Sequence, residues 1–220
     1  MHCWNNSGNT RKRRLITAIG AAVLLVAGGA FLGIASHVVP GAPLVFLDVR
    51  LANWLHAHGT PGLTRFFLDV SLVHDVAAVA VYTFVLAGIL AMQRDWYWAR
   101  RVVVVVVTGF LFNMALKLAY VRTRPVFEQP IVSLTSYSFP SGHTALTTLF
   151  YGIFAIVLIS RLQNLAARLC CLAGFAAMVG LVAFSRIYLG AHYLSDVAAA
   201  ACAAVAWIAF VLMALRKFGK

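Results

Sequence analysis

Three polar islands interrupt an otherwise apolar sequence: Lys117 with Arg124 and Pro125, then Pro140-Ser141-Gly142-His143, then Ser185-Arg186 with His192 and Asp196. They supply cations, histidines, a carboxylate and a glycine-opened helix start, the parts needed to hold a phosphoryl group and attack it. His192 and Asp196 are four positions apart and share a face if the chain is helical there. A carboxylate so placed accepts the Nδ1 proton and leaves the Nε2 lone pair directed outward, which makes His192 a nucleophile for phosphorus, with Asp196 as its holder.

The other islands fit the same chemistry. Pro140 halts the preceding chain, so Ser141 and Gly142 open a helix whose first N–H groups form an anion site, and glycine lets an oxyanion come close to the backbone. His143, one residue on, is placed to protonate a leaving oxygen and then to take a proton from attacking water. Phosphoryl transfer spreads negative charge over equatorial oxygens, and Lys117, Arg124 and Arg186 can meet it from three helix ends. Arginine suits two-pronged contact and lysine acts as a point charge.

These residues resemble the signature of the type 2 phosphatidic acid phosphatase superfamily: K-x6-R-P, then P-S-G-H, then S-R-x5-H-x3-D. Every signature position is matched, by Lys117, Arg124 and Pro125, by Pro140 through His143, and by Ser185, Arg186, His192 and Asp196. The resemblance implies a phosphohistidine at His192 and a membrane enzyme acting on lipid phosphates or diphosphates. Undecaprenyl diphosphate, phosphatidylglycerol phosphate and phosphatidic acid are its leading substrate classes. Residues before Lys117 match only in hydropathy.

The elements that must carry these residues are membrane helices. Hydrophobic residues make up 62% of the 220-residue chain and charged ones 11%, far more apolar surface than a soluble domain of this size buries. A span needs about 20 apolar residues. About six are legible: Leu15 to Ser36, Leu68 to Met92, Val102 to Tyr120, Ser141 to Ser160, Leu169 to Leu189 and Leu194 to Leu215. Because helices satisfy their own backbone in hydrocarbon, the expected class is an all-α polytopic bundle. Residues 1–14 read as a cytoplasmic N-terminal tail, with Met1 to Thr10 disordered, and 15–220 as one transmembrane phosphatase domain. The first apolar run is too long for a usual signal-peptide core and reads as an anchor.

Arginines and lysines flank alternate span ends, at Arg11 to Arg14, at Arg94, Arg100 and Arg101, at Arg161 and Arg168, and at Arg216, Lys217 and Lys220. The positive-inside rule then puts both termini in the cytoplasm and the motifs at the outer face, and the resemblance to a small six-span family member implies a bacterial inner membrane with the site facing the periplasm. Arg50 and Arg65 depart from the pattern. The net charge of +12 is spread over loops rather than gathered in a stripe, which argues against nucleic acid and for anionic lipid headgroups as counterions.

Several residues outside the signature carry expectations of their own. Leu47, Leu51, Trp54 and Leu55 recur at helical spacing opposite Asp48, Arg50, Asn53 and His56, an interfacial helix packed beside the site. Arg122 reads as a headgroup anchor, and Tyr188 and Tyr193 as interface anchors. Asn113 lies one turn before Lys117, to orient it or to bond another helix. Asp69, His74 and Asp75 are intramembrane ionisable groups and so candidates for substrate contact, with Asp69 alternatively a helix cap and His74-Asp75 a buried polar contact. The loop from Val121 to Phe139 is long enough to fold over a headgroup. The cysteines, Cys3, Cys170, Cys171 and Cys202, lack disulfide spacing and read as small packing residues.

No metal or other cofactor is expected. Metal-dependent phosphate sites need clustered carboxylates or His and Cys ligands, and of the six acidic residues only Asp196 belongs to the motifs. The expected function is lipid phosphate hydrolysis through phosphohistidine. A lipid-to-lipid phosphotransferase would use the same intermediate, and a non-catalytic lipid-binding or transport protein is the reading from a different class. Nothing in the sequence bears on oligomeric state.

Overall fold

A computed structural model describes residues 5–217, which form eight helices: α1 (Asn5–Ala35), α2 (Pro43–Ala57), α3 (Pro61–Leu72), α4 (Val76–Met92), α5 (Trp96–Tyr120), α6 (Gly142–Arg161), α7 (Leu165–Tyr188) and α8 (Leu194–Lys217). Five of them, α1, α5, α6, α7 and α8, are long and apolar enough to cross a membrane, and α3 with α4 makes a sixth if the pair counts as one bent span. Helical backbone begins at Asn5, so most of the segment expected to be disordered is the first turns of α1. Met1 to Trp4 lie outside the described residues.

The expected second span, Leu68 to Met92, is not one helix. It breaks between Leu72 and Val76 and bends by 47°. The local cause is polar. Asp75 caps α4 by accepting from the Ala78 N–H at 2.7 Å, while His74 Nδ1 bonds the Val70 carbonyl of α3 at 2.9 Å. The Tyr82 hydroxyl donates to the Val73 carbonyl at 2.9 Å. Backbone groups freed by the break thus find side-chain partners, the condition for a broken helix inside a bilayer.

The main core joins α4, α5, α6 and α8 through Val79, Leu90, Val102, Val105, Leu149, Ile153 and Ile208. Gly109 permits this close crossing, since a Cβ there would lie 2.5 Å from Leu149 Cδ1. Helix α1 packs along α8, with Phe31 and Ala35 against Phe139, Ala199 and Ala203. A third cluster of Leu55, Phe67, Ile187 and Tyr188 ties α2 and α3 to α7.

Helix α2 exists where the spacing predicts it, but its expected apolar face is split, with Leu51 and Leu55 turned inward and Leu47 and Trp54 outward. Asp48, Ala52 and Leu55 are buried, whereas Leu47 and Trp54 are more than half exposed. In a soluble protein that would be costly. Beside a bilayer, outward apolar side chains meet lipid, and the inward pull comes from a buried partner for Asp48.

Candidate active site

The motif residues converge at one end of the bundle because each sits at a helix terminus: Lys117 in the last turn of α5, Ser141 capping α6, Arg186 in the last turn of α7, and Asp196 in the first turn of α8. Arg124 lies in the α5–α6 loop and His192 in the α7–α8 turn. Backbone ties the islands together. The Ser141 N–H donates to the Asp196 carbonyl at 3.2 Å, and the Ala191 and His192 N–H groups both donate to the Arg186 carbonyl. Gly190 adopts φ +66 in the turn, and a Cβ there would lie 2.6 Å from Phe127 Cε2. Only glycine suits that position.

His192 is buried, with its Nδ1 3.6 Å from Asp196 Oδ2, an ion-pair separation longer than a hydrogen bond. Its Nε2 lies 3.2 Å from Arg124 Nη1. Burial pushes the ring down to about 4, against the opposing pull of Asp196, so it is neutral at ordinary pH. Asp196 is satisfied by other donors: Arg122 Nη1 at 2.6 Å on Oδ1, and on Oδ2 the Ser138 hydroxyl at 2.5 Å and the Tyr193 N–H at 2.9 Å.

Three cations gather around the histidine. Lys117 Nζ donates to the Tyr137 carbonyl at 2.6 Å. Arg124 spreads over the Ser136 and Ala191 carbonyls and the Ser136 hydroxyl. Arg186 donates to the Ser71 hydroxyl, while its buried Nε has no partner. None of the three is paired with a carboxylate among the described residues, whereas Arg122 is paired with two. Burial lowers the Arg124 guanidinium, with Asp196 opposing, and an arginine side chain keeps its charge in a protein.

Ser141 Oγ accepts from the Thr144 N–H at 3.5 Å and from the Thr144 hydroxyl at 3.1 Å, keeping its own proton free to donate outward. The Gly142 and His143 N–H groups lie in the first turn of α6, where no intrahelical acceptor exists. His143 is half-buried, within electrostatic range of Arg186, His192, Arg124 and His74. All eight residues singled out by chemistry in the sequence therefore lie at this end of the bundle.

Other expectations meet mixed outcomes. Arg122 is no headgroup anchor. It is buried between Asp48 Oδ2 at 2.9 Å and Asp196 Oδ1 at 2.6 Å. Although burial opposes its charge, the two carboxylates outweigh that and raise it. Tyr188 is buried, its hydroxyl accepting from the Thr60 N–H at 3.0 Å at the start of α3. Tyr193 lies under the Arg122 guanidinium, 4.5 Å from ring centroid to Cζ. Asp69 is exposed; the cap is Asp75. His74 is spent on Val70 and on the Tyr151 hydroxyl at 3.2 Å. Asn113 is buried with its Oδ1 unpartnered and makes no hydrogen bond to Lys117. Cys170, Cys171 and Cys202 are free thiols, and Cys3 lies outside the described residues.

Asp48, which the spacing marks only as part of a polar helix face, and Ser138 and Ser195, which no motif marks, close the network behind Asp196. A signal existed for Asp48: a chain with six acids has few counterions for its arginines. Ser138 and Ser195 had no such mark.

Residues 98–220 match the model of the PAP2 superfamily, and the chain belongs to that superfamily. Phosphatidylglycerophosphatase B of Bacillus subtilis (strain 168) is 35% identical over 114 residues, 50% of this chain and 54% of that protein, so the chain spans about half the length of this relative. A probable lipid phosphate phosphatase beta of Arabidopsis thaliana is 26% identical over 213 residues, 79% of this chain and 91% of that protein.

Among solved structures, a transmembrane PAP2-type phosphatidylglycerolphosphate phosphatase from Bacillus subtilis superposes with a TM-score of 0.80 at 22% identity, covering 90% of this chain and 97% of that one. Aquifex aeolicus LpxE gives a TM-score of 0.60 at 20% identity, covering 76% and 95%. The protein has the PAP2 transmembrane fold and is an integral membrane protein with several spans.

Proposed function

We propose that this protein hydrolyses the phosphate or diphosphate headgroup of a membrane lipid through a phosphohistidine on His192. The observation that carries the reading is the charge imbalance at the site: among the described residues, Lys117, Arg124 and Arg186 share the His192 end of the bundle with no ion-paired carboxylate of their own, which leaves their charge for phosphoryl oxygens. His192 Nε2 attacks phosphorus as the bond to the lipid oxygen breaks, and the leaving oxygen takes a proton from His143. Water then attacks the phosphohistidine, its proton passes to His143, and free phosphate leaves. Ser141 and the Gly142 N–H hold equatorial oxygens beside the cations, while Asp196 stabilises the charged ring.

The relatives' names favour a phospholipid monophosphate such as phosphatidylglycerol phosphate, with phosphatidic acid and undecaprenyl diphosphate as the further candidates. An apolar groove of about 530 Å³ between α4 and α6, lined by Val85, Ile89, Phe154 and Leu158, gives an acyl chain a place beside the bundle. Its rim residue Tyr151 reaches back to His74 near the site. Placement of the site at the periplasmic face follows from the arginine pattern. The test is phosphate release by the purified protein from a panel of lipid phosphates and diphosphates, run in strong chelator and again with vanadate. Release from at least one lipid that survives chelation, yields to vanadate and vanishes in His192→Ala is expected. No release from any lipid, or rescue by one divalent ion after chelation, overturns the mechanism.

A further inference from the structure

The buried network behind Asp196 contains two residues that the family signature does not include, Asp48 and Arg122. Arg122 Nη1 donates to Asp196 Oδ1 at 2.6 Å and to Ser195 Oγ at 2.7 Å, and Nη2 to Asp48 Oδ2 at 2.9 Å. Asp48 in turn accepts the Ser195 N–H at 3.0 Å and the Ser195 hydroxyl at 2.5 Å, so a carboxylate on α2 caps the first turn of α8. The side chains of Asp48 and Asp196 are fully buried and that of Arg122 is 9% exposed. Removing the Arg122 charge from such a cluster leaves two buried carboxylates uncompensated.

With two carboxylates on it, Arg122 has no charge left for a phosphate. Its geometry serves Asp196 instead. Arg122 takes Oδ1, while Ser138 and the Tyr193 N–H hold Oδ2 on the side facing His192 Nδ1. We propose that Asp48 and Arg122 are positioning residues that aim Asp196 at His192 and set how much negative charge the ring feels, making α2 a brace of the site. This rests on the phosphohistidine reading only for its effect on turnover. The electrostatic half concerns His192 alone.

The charged and titratable groups facing His192 are Lys117 from α5, Arg124 and, through Asp196, Arg122 from the α5–α6 loop, His143 from α6, Arg186 from α7 and Asp196 from α8, with Asp48 of α2 behind Arg122. Loss of the Arg122 charge leaves Asp196 more negative toward the ring, and loss of the Asp48 charge leaves Arg122 more positive. The two changes therefore push His192 in opposite directions.

The experiment follows the His192 ring by NMR in histidine-labelled full-length protein as pH is varied, for wild type, Arg122→Gln, Arg122→Lys and Asp48→Asn. The midpoint should rise in Arg122→Gln, fall in Asp48→Asn and stay near wild type in Arg122→Lys. With the lipid phosphate that the panel shows to be hydrolysed, kcat of Arg122→Lys should drop by on the order of 10²-fold through misplacement of Asp196, with KM nearly unchanged. If Arg122→Gln does not fold, Asp48→Asn and Arg122→Lys decide alone. An unmoved midpoint in Asp48→Asn or in a folded Arg122→Gln, or KM rising with kcat kept in Arg122→Lys, overturns the inference. A wild type that releases no phosphate overturns the functional reading and leaves the titration to judge this one.

Discussion

Arg124 Nη1 stands 3.2 Å from His192 Nε2, and a guanidinium has no lone pair to give. The contact therefore requires Nε2 to be the acceptor and places the ring proton on Nδ1, toward Asp196. The tautomer wanted of a nucleophile is set from the front by an arginine as well as from behind by a carboxylate.

Trapping follows from that geometry. Brief reaction with a labelled lipid phosphate should leave acid-labile label on His192, and His192→Ala should carry none. His143→Ala should retain label while turnover falls by about 10²- to 10⁴-fold, the usual worth of a general acid-base. Label mapped to His143 would reverse the two roles.

The acid limb of kcat/KM should lie low. Burial holds the His192 ring near 4, so it stays neutral and nucleophilic until pH falls through that value, whereas an open histidine would lose activity near about 6.5. Stability has the same sign: below about 6.5 the unfolded ring takes up a proton and the buried one does not, so the fold weakens as pH falls from there toward 4. A limb above pH 6 would contradict the burial argument.

Asp196→Asn should cost more than orientation. An amide can accept on one side only, so either Arg122 or the pair of Ser138 and Tyr193 loses its acceptor. Arg122 keeps its pair with Asp48, so the cost is that of the lost or unsatisfied hydrogen bonds, about 1–3 kcal/mol, read as a lowered thermal midpoint in detergent, together with loss of turnover. A variant as stable as wild type would mean that Arg122 finds compensation elsewhere.

Single cysteines in place of Glu128 and His58 should react with an impermeant reagent from outside the cell, and one in place of Gln93 should not. Glu128 and His58 lie in loops near the motif end, whereas Gln93 follows α4 at the other end, bonded to Arg161 at 2.9 Å. The reverse pattern would invert the positive-inside assignment.

The spans and the site were legible for different reasons. Apolar length alone marks α5 through α8, and the motif spacings deliver all of the cations and both histidines, because chemistry restricts residue type and helix ends restrict spacing. What stayed hidden depends on side chains meeting across the fold. Hydropathy cannot show that α3 and α4 break at His74-Asp75, since two short helices joined by three residues read as one apolar run. Nor could periodicity orient α2. In lipid the buried face need not be the apolar one, and Asp48 turns inward only because Arg122, 74 positions away, is there.

The Ser141 N–H bond to the Asp196 carbonyl joins the start of α6 to the start of α8 where the chain leaves hydrocarbon. The anion turn and the carboxylate behind His192 are thus tied together at the rim of the bundle, while α1 and α4 carry none of the motif residues. If the proposed function holds, headgroup chemistry and tail preference are separable parts, and substitutions along the flanks of those two helices should retune which lipid is accepted while the reacting atoms keep their places.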